Sequence, residues 1–436
     1  MDFRPKGRKD KIRVLYLAYN GLLEPLLYSQ VITYLRELTK TLKIEIVVLS
    51  FEKVGLLLSS EQRQSIKTLK ARLASDNIHW YWLRYHKWPP VLSFLYDVFL
   101  GLVVGSILVG RKKISFIHAR SYVAAIVAAM LSKLYKINYI FDMRAFMVDE
   151  WIDTGVIPKF AGLVNFAKGV ERWLLENSSY TVVLTEAARG ALGDFSRANV
   201  RNSRVEVIPC CVDTRRFNFR VSADRALLKK MGLEDKFIFI YIGSLGGKFY
   251  LFDKMLDFFS VAREIIPNAQ LLLLTPNVGY LDSQKSNNHN QGLFDHISYL
   301  SVEPQEIAPY IPLASAGLAF YLPLPSRIAT SPVKIGEYLA SGIPFAVNRG
   351  VGDTEELINR FAVGTVVKDF TDLDYRESVN RLLDLARQKE KTAKICREAC
   401  EKVLSLDIAI QRYSKIYSCL ILRTGRRINE QTRIES

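Results

Sequence analysis

Short runs of wholly apolar residues alternate with amphipathic stretches along this chain, and the alternation runs through twice. Residues 12–18 read as a strand buried on both faces, 29–41 as an amphipathic helix turning Val31, Leu35 and Leu38 inward, and 44–50 as a second buried strand. Strands are expected again at 114–118, 139–142, 180–184 and 205–208, with helices at 122–135 and 166–176 among them. After residues 209–217 the order restarts, with strand 237–242, helix 251–266, strands 270–274, 297–300 and 317–321, a helix opening at Pro332, and strand 344–347. Strands joined through helices pair in parallel, because each crossover returns the chain to the same end of the sheet. The fold class expected is α/β, with two Rossmann-like doubly wound domains facing across a cleft. Such sheets bind ligands beyond the carboxyl ends of their strands. A chain of 436 residues, 49% hydrophobic, is ample for two cores. Residues 276–295 read as a polar surface loop.

The most informative motif spans residues 331–344, where Lys334 and Glu337 stand three positions apart at the start of a short helix. Pro332 suits a first helical position, so the open amides of that turn and the Lys334 ammonium make a seat for phosphate oxygens. Glu337 follows on the same face, where a carboxylate accepts hydrogen bonds from a ribose diol. A second turn, Gly350-Val351-Gly352-Asp353-Thr354, again offers backbone amides. The pattern points to a nucleotide. The plain alternative is a surface helix carrying an ordinary salt pair.

Lys and Arg outnumber Asp and Glu by 60 to 44, a formal charge of +16, which favours anionic partners. Neither zinc-finger spacing nor an RNA-binding signature is present, so nucleic acid is not an expected partner. A dinucleotide oxidoreductase is disfavoured too, because no Gly-x-Gly-x-x-Gly follows either first strand. Five cysteines, two of them adjacent at Cys210 and Cys211, lack disulfide or metal spacing and suggest a reducing compartment. The start carries Arg4, Lys6, Arg8, Lys9, Lys11 and Arg13 with no apolar core behind them, and reads as a basic arm rather than a secretory signal. Residues 91–110 are apolar over the length of a membrane span, interrupted by Asp97 and followed by Arg111-Lys112-Lys113. Spanning would split the first α/β half across a bilayer, so a buried or membrane-seated helix is the better expectation. Trp80, Tyr81, Trp82, Tyr85 and Trp88, with Arg84 and Lys87, suit either a membrane surface or a domain core.

With these residues in hand, the chain resembles the two-domain GT-B glycosyltransferases, and glycosyltransferase family 4 in particular. The likeness covers nearly the whole length. It rests on residues 24–31 with Tyr34-Leu35, 49–53, 117–122, 141–144 with Asp149-Glu150, 207–209 with Val212-Asp213 and Arg216-Phe217, 241–246, the Lys334/Glu337 stretch and 350–353. The resemblance implies an acceptor domain over 1–212, a nucleotide-sugar domain over 213–404, and a helix in 405–436 that crosses back to the first domain. It implies a retaining transfer from a nucleoside diphosphate sugar (UDP- or GDP-sugar) to a hydroxyl of a glycan or lipid-linked glycan in polysaccharide synthesis, with no permanent cofactor and no metal. The setting implied is cytoplasmic, with peripheral contact at the inner face of the cell membrane.

Donor contacts would come from Lys334, Glu337, Lys248, Ser244, Arg327, Gly352, Asp353, Thr354 and Gly21. His118, Arg120 and Arg144 would line the reacting centre or hold an anionic acceptor group. Plain alternatives are a core histidine at His118 and an Arg144 paired to Asp149 or Glu150. The chain departs from the family where Ser244 replaces an expected arginine and Ala329 replaces the carboxylate eight positions before Glu337. A Ser-Pro-x-Lys-x-x-Glu-Tyr subgroup fits it better. An epimerase or hydrolase on the same fold, or a non-catalytic subunit of a membrane synthase, remain the alternatives.

Overall fold

The computed structural model of this protein describes residues 11–24, 28–55, 58–156, 160–195, 204–217, 224–247, 249–287 and 291–425. Lys248 and most of the basic start lie outside them. Two all-parallel sheets form. The first has seven strands in the order β3-β2-β1-β4-β5-β6-β7: β1 (Arg13–Ala18), β2 (Glu45–Glu52), β3 (Ile78–Arg84), β4 (Phe116–Arg120), β5 (Asn138–Asp142), β6 (Tyr180–Val183) and β7 (Arg204–Val207). The second has six in the order β10-β9-β8-β11-β12-β13: β8 (Phe237–Ile242), β9 (Ala269–Leu274), β10 (Ile297–Leu300), β11 (Ala316–Ala319), β12 (Phe345–Asn348) and β13 (Gly364–Val367). These are the two doubly wound domains that the alternation dictates.

Strand order reverses between β1 and β4 in the first sheet and between β8 and β11 in the second. Crossovers leave the sheet in opposite directions at such a point, which opens a crevice at the carboxyl ends. Gly21 and Arg120 stand at the first crevice, Gly243 and the helix Val333–Ala340 at the second.

The aromatic run at 80–85 is an edge strand, β3: Trp80 is buried and donates its indole N–H to Ser50 Oγ at 2.8 Å. Residues 276–295, expected as a loop, carry two helices, Val278–Asn287 and Gln291–Phe294. The apolar run forms a helix over Pro90–Lys112, and both its ends return to strands of one sheet, β3 and β4.

The chain passes between domains twice, and the passages are zipped together. Val212 N–H donates to the Leu404 carbonyl at 2.9 Å, and Leu406 N–H to the Val212 carbonyl at 2.9 Å. The last helix, Leu406–Arg423, then lies on the first domain, where Leu406, Ala409, Tyr413, Ile416, Tyr417, Leu420 and Ile421 join the core under β1 and β4.

Candidate active site

The helix Val333–Ala340 starts after the extended Pro332, and this places Lys334 in its first turn, pointing back toward the end of β8. The ammonium sits in a cage of three tyrosine rings, 4.0 Å from the centroid of Tyr241, 4.6 Å from Tyr250 and 5.4 Å from Tyr321. Ring faces attract a cation. They accept no hydrogen bond as an oxygen does, and Lys334 Nζ is buried without a hydrogen-bond partner. Burial lowers its pKa from 10.5 to about 7, against the opposing pull of Glu337. Gly243 makes the approach feasible: its φ of +132° suits glycine, and a Cβ there would stand 3.2 Å from Lys334 Nζ. Glu337 is part-exposed, and burial raises its pKa from 4.5 to about 7, opposed first by Arg216 and then by Lys334. Arg216 in turn donates to the Pro304 carbonyl. Ser244 is exposed at the end of β8, and its carbonyl accepts the Tyr241 hydroxyl at 2.8 Å.

The second turn is otherwise occupied. Asp353, read as a donor contact, accepts the N–H groups of Glu186 at 2.7 Å and Ala187 at 3.1 Å, and so caps the first-domain helix Glu186–Phe195 from across the cleft. Gly352 N–H donates to the Arg327 carbonyl at 3.0 Å, and a Cβ on Gly352, which has φ +49°, would collide with the Thr330 carbonyl. Thr354 is buried and donates its hydroxyl to the Val351 carbonyl at 2.7 Å. Arg327 pairs with Glu150 at 3.1 Å and stacks over Phe249 at 4.5 Å. Thr185 Oγ1 donates to the Ile328 carbonyl at 2.6 Å, Ser326 N–H to Asp153 at 3.1 Å, and Cys210 N–H to Ser331 Oγ at 3.1 Å. Residues 326–331 and 350–354 therefore form a strap between domains. The carboxylate and amides expected to meet phosphate hold the domains together instead.

In the first domain the organising group is Asp142, at the end of β5 and fully buried. Three nitrogens approach its carboxylate: Arg120 Nη1 at 3.6 Å, Arg144 Nη1 at 3.6 Å and His118 Nε2 at 3.7 Å. Although burial opposes ionisation, Arg144, His118 and Arg120 together hold the Asp142 pKa at about 2. Gln30 Oε1 accepts from Arg144 at 3.3 Å and Arg120 at 3.5 Å. Arg144, at φ +64°, also reaches Cys210 Sγ at 3.2 Å. Arg144 thus pairs with Asp142 and not with Asp149 or Glu150, which bind Lys168 and Arg327.

His118 is placed differently from a residue lining the reacting centre. It is wholly buried, its Nδ1 lies 2.8 Å from Tyr417 Oη of the last helix, and the rings of Tyr16 and Tyr413 close around it. Burial lowers its pKa, so it is neutral here. With His118 neutral, two arginines face one carboxylate, which leaves one net positive charge at the first crevice.

Gly21 packs against Glu52, and the fully buried Glu52 carboxylate accepts Leu22 N–H at 2.8 Å, Leu23 N–H at 3.2 Å and Ser50 Oγ at 2.5 Å. The loop amides that a phosphate would need already donate to an internal carboxyl group, whose pKa burial raises. Sequence reasoning passed over Glu52, Asp142, Gln30 and the tyrosine cage as functional groups. For the two acids the signal was present, as carboxylates closing the carboxyl ends of largely apolar strands.

No family model matches the sequence, and no curated protein matches it. The backbone is similar to several solved structures. One is sucrose-phosphate synthase from Thermosynechococcus elongatus, at 14% identity over 95% of this chain and 100% of that one, TM-score 0.68. Another is HepE from Anabaena in complex with UDP and glucose, at 13% identity over 94% of this chain and 100% of that one, TM-score 0.65. A glycosyltransferase from Rickettsia africae matches at 13% identity over 94% of this chain and 99% of that one, TM-score 0.66. The likeness shows the GT-B fold over 94–95% of the chain.

Proposed function

We propose that this chain is a retaining glycosyltransferase that moves a sugar from a nucleoside diphosphate sugar to a hydroxyl of a glycan or lipid-linked glycan, in polysaccharide synthesis at the cytoplasmic face of a membrane. One observation carries the reading: a buried ammonium without a hydrogen-bond acceptor, Lys334, stands at the topological switch point of the second sheet. A cation taken out of water and left unpaired costs several kcal/mol, roughly, a cost that a bound diphosphate offsets. The solved structures of HepE, of the same fold, contain UDP or UDP-glucose.

In this reading Lys334 and the first-turn amides of Val333–Ala340 meet the leaving diphosphate, and Glu337 accepts the ribose hydroxyls. The Lys334 cation and the first-turn amides are the groups that meet the leaving-group charge, and in this reading the step requires no divalent ion. No carboxylate stands out as a nucleophile for double displacement, which favours front-face attack assisted by the departing phosphate. Arg120 and Arg144, in excess over Asp142, suit an acceptor that carries an anionic group.

The test is a panel of UDP- and GDP-sugars with the parent chain, Lys334→Met and Glu337→Gln. The parent is expected to be stabilised thermally by one nucleoside diphosphate and to turn its sugar over, and both variants to lose turnover while melting no lower than the parent. Because Lys334 titrates near 7, diphosphate binding at pH 8 is expected to take up a proton, seen as a buffer-dependent heat in titration calorimetry. Full turnover by Lys334→Met would remove the site. Sugar release from the donor without an acceptor would reassign the chain to a hydrolase or epimerase.

A further inference from the structure

The helix Pro90–Lys112 buries Val98, Leu108 and Val109 in the domain core and shows a second apolar side to solvent. Its buried face carries the small or polar residues Ser93, Asp97, Gly101 and Gly105, spaced four apart, while Val91, Leu92, Leu95, Phe99, Val103 and Ile107 face solvent. The inward residues lock the helix to the domain. Asp97 accepts Tyr19 Oη at 2.9 Å and His86 N–H at 3.2 Å and pairs with His86 Nδ1 at 2.6 Å, and a Cβ on Gly105 would come 2.7 Å from Leu131. A span through a bilayer would strip Asp97 of these partners, so the helix stays on the domain and shows its apolar side outward.

The exposure is concentrated. Of seventeen exposed large apolar side chains among the described residues, fifteen lie between Trp88 and Phe166, and most stand on the helices Pro90–Lys112, Ser121–Tyr135 and Ala161–Asn177, which pack side by side in that order. Leu134 is 68% exposed on the adjoining helix Ser121–Tyr135, and Phe160 and Phe166 are 71% and 70% exposed beyond it. The charge pattern identifies the occupant. Neither helix shows an exposed carboxylate, and their carboxyl-terminal ends carry Arg111, Lys112, Lys113, Lys133 and Lys136. An apolar band about 34 Å long, with a cationic rim and no acids, matches an anionic phospholipid surface: acyl chains under the band, headgroups at the rim.

We propose that this face docks the first domain flat on an anionic bilayer, with the helix Pro90–Lys112 lying in the interface plane. Its amino-terminal end follows β3 and stands at the carboxyl edge of the sheet, so the bilayer meets the mouth of the interdomain crevice side-on.

Flotation of the full chain tests this, with vesicles of phosphatidylcholine alone or mixed with phosphatidylglycerol, and needs no transferase substrate. The parent is expected to float with the mixed vesicles. Leu92→Glu/Phe99→Glu, and independently Leu134→Glu on the neighbouring helix, are expected to lower the partition coefficient about tenfold or more at unchanged melting midpoint. Gln at Lys112, Lys113, Lys133 and Lys136 together is expected to lower it about tenfold on mixed vesicles and little on neutral ones. Undiminished flotation of both folded Glu variants would overturn the proposal. So would a parent that binds neither vesicle but sediments as a dimer that Leu92→Glu/Phe99→Glu splits, which would make the occupant a second copy.

Discussion

Asp142 is the residue on which the first crevice turns, because it alone among the described residues neutralises charge between two buried arginines. Asp142→Asn keeps the shape and removes the charge, leaving Arg120 and Arg144 uncompensated. A loss of about 3–5 kcal/mol is expected in denaturant unfolding. The Asp142 pKa is lowered from 3.8 to about 2, so its contribution is fully present above 3.8 and disappears as pH falls through 2. Lys334 and Glu337 behave oppositely. Glu337 rises from 4.5 to about 7, so stability falls as pH climbs through that interval. Lys334 drops from 10.5 to about 7, so stability recovers between 7 and 10.5. The pair is least favourable to the empty protein near pH 7. A plot of parent minus Lys334→Met/Glu337→Gln stability against pH is expected to dip there, and a saturating nucleoside diphosphate to fill the dip. That Lys334 and Glu337 carry strongly shifted pKa values at the second switch point is consistent with the sequence motif that singled them out. The roles of His118, Gly21 and Asp353 were not legible, since spacing along the chain cannot say which amides and carboxylates already have partners.

At the scale of elements, the apolar runs were readable because a strand buried on both faces has no alternative use for four to eight consecutive aliphatic side chains. β3 was hidden by its aromatics, which suit an edge strand, a core and a membrane surface equally. β13, Gly364–Val367, was missed because Gly364 and Thr365 interrupt its apolar run. The strap between domains was invisible for a different reason: its hydrogen bonds to the first domain and the domain junction join residues more than 120 positions apart. Gly352→Ala adds strain at φ +49° and drives a Cβ into the Thr330 carbonyl, so the strap must shift. The expected result is a loss of about 1–3 kcal/mol with faster proteolysis at the domain junction. Asp353→Ala removes the cap on Glu186–Phe195 and is expected to cost about 1–2 kcal/mol, read by thermal unfolding and by faster amide exchange at Glu186 and Ala187.

For the whole molecule, the two facing sheets follow from the order of elements, while the return of the chain to its first domain depends on one helix. Of the side chains of Leu406–Arg423 buried in that domain's core, Leu406, Ile416, Leu420 and Ile421 contribute about 1.5–3 kcal/mol each, so their sum alone rivals the net stability of an ordinary domain, about 5–15 kcal/mol. A chain ending at residue 404 is therefore expected to lose the cooperative unfolding transition of the first domain and to expose Tyr16 and Tyr34 to solvent, seen in near-ultraviolet dichroism. Supplying 405–425 as a separate peptide is expected to restore the transition in part.

The same helix sets a schedule. A ribosome makes the first sheet early, yet the hydroxyl that holds His118 belongs to Tyr417 and arrives only after every strand of both sheets has been made. Until that helix emerges the earlier half waits as an unfinished, greasy intermediate, and the second half has to be synthesised before the first can close. A nascent chain of this design needs shelter longest for the part that was made soonest.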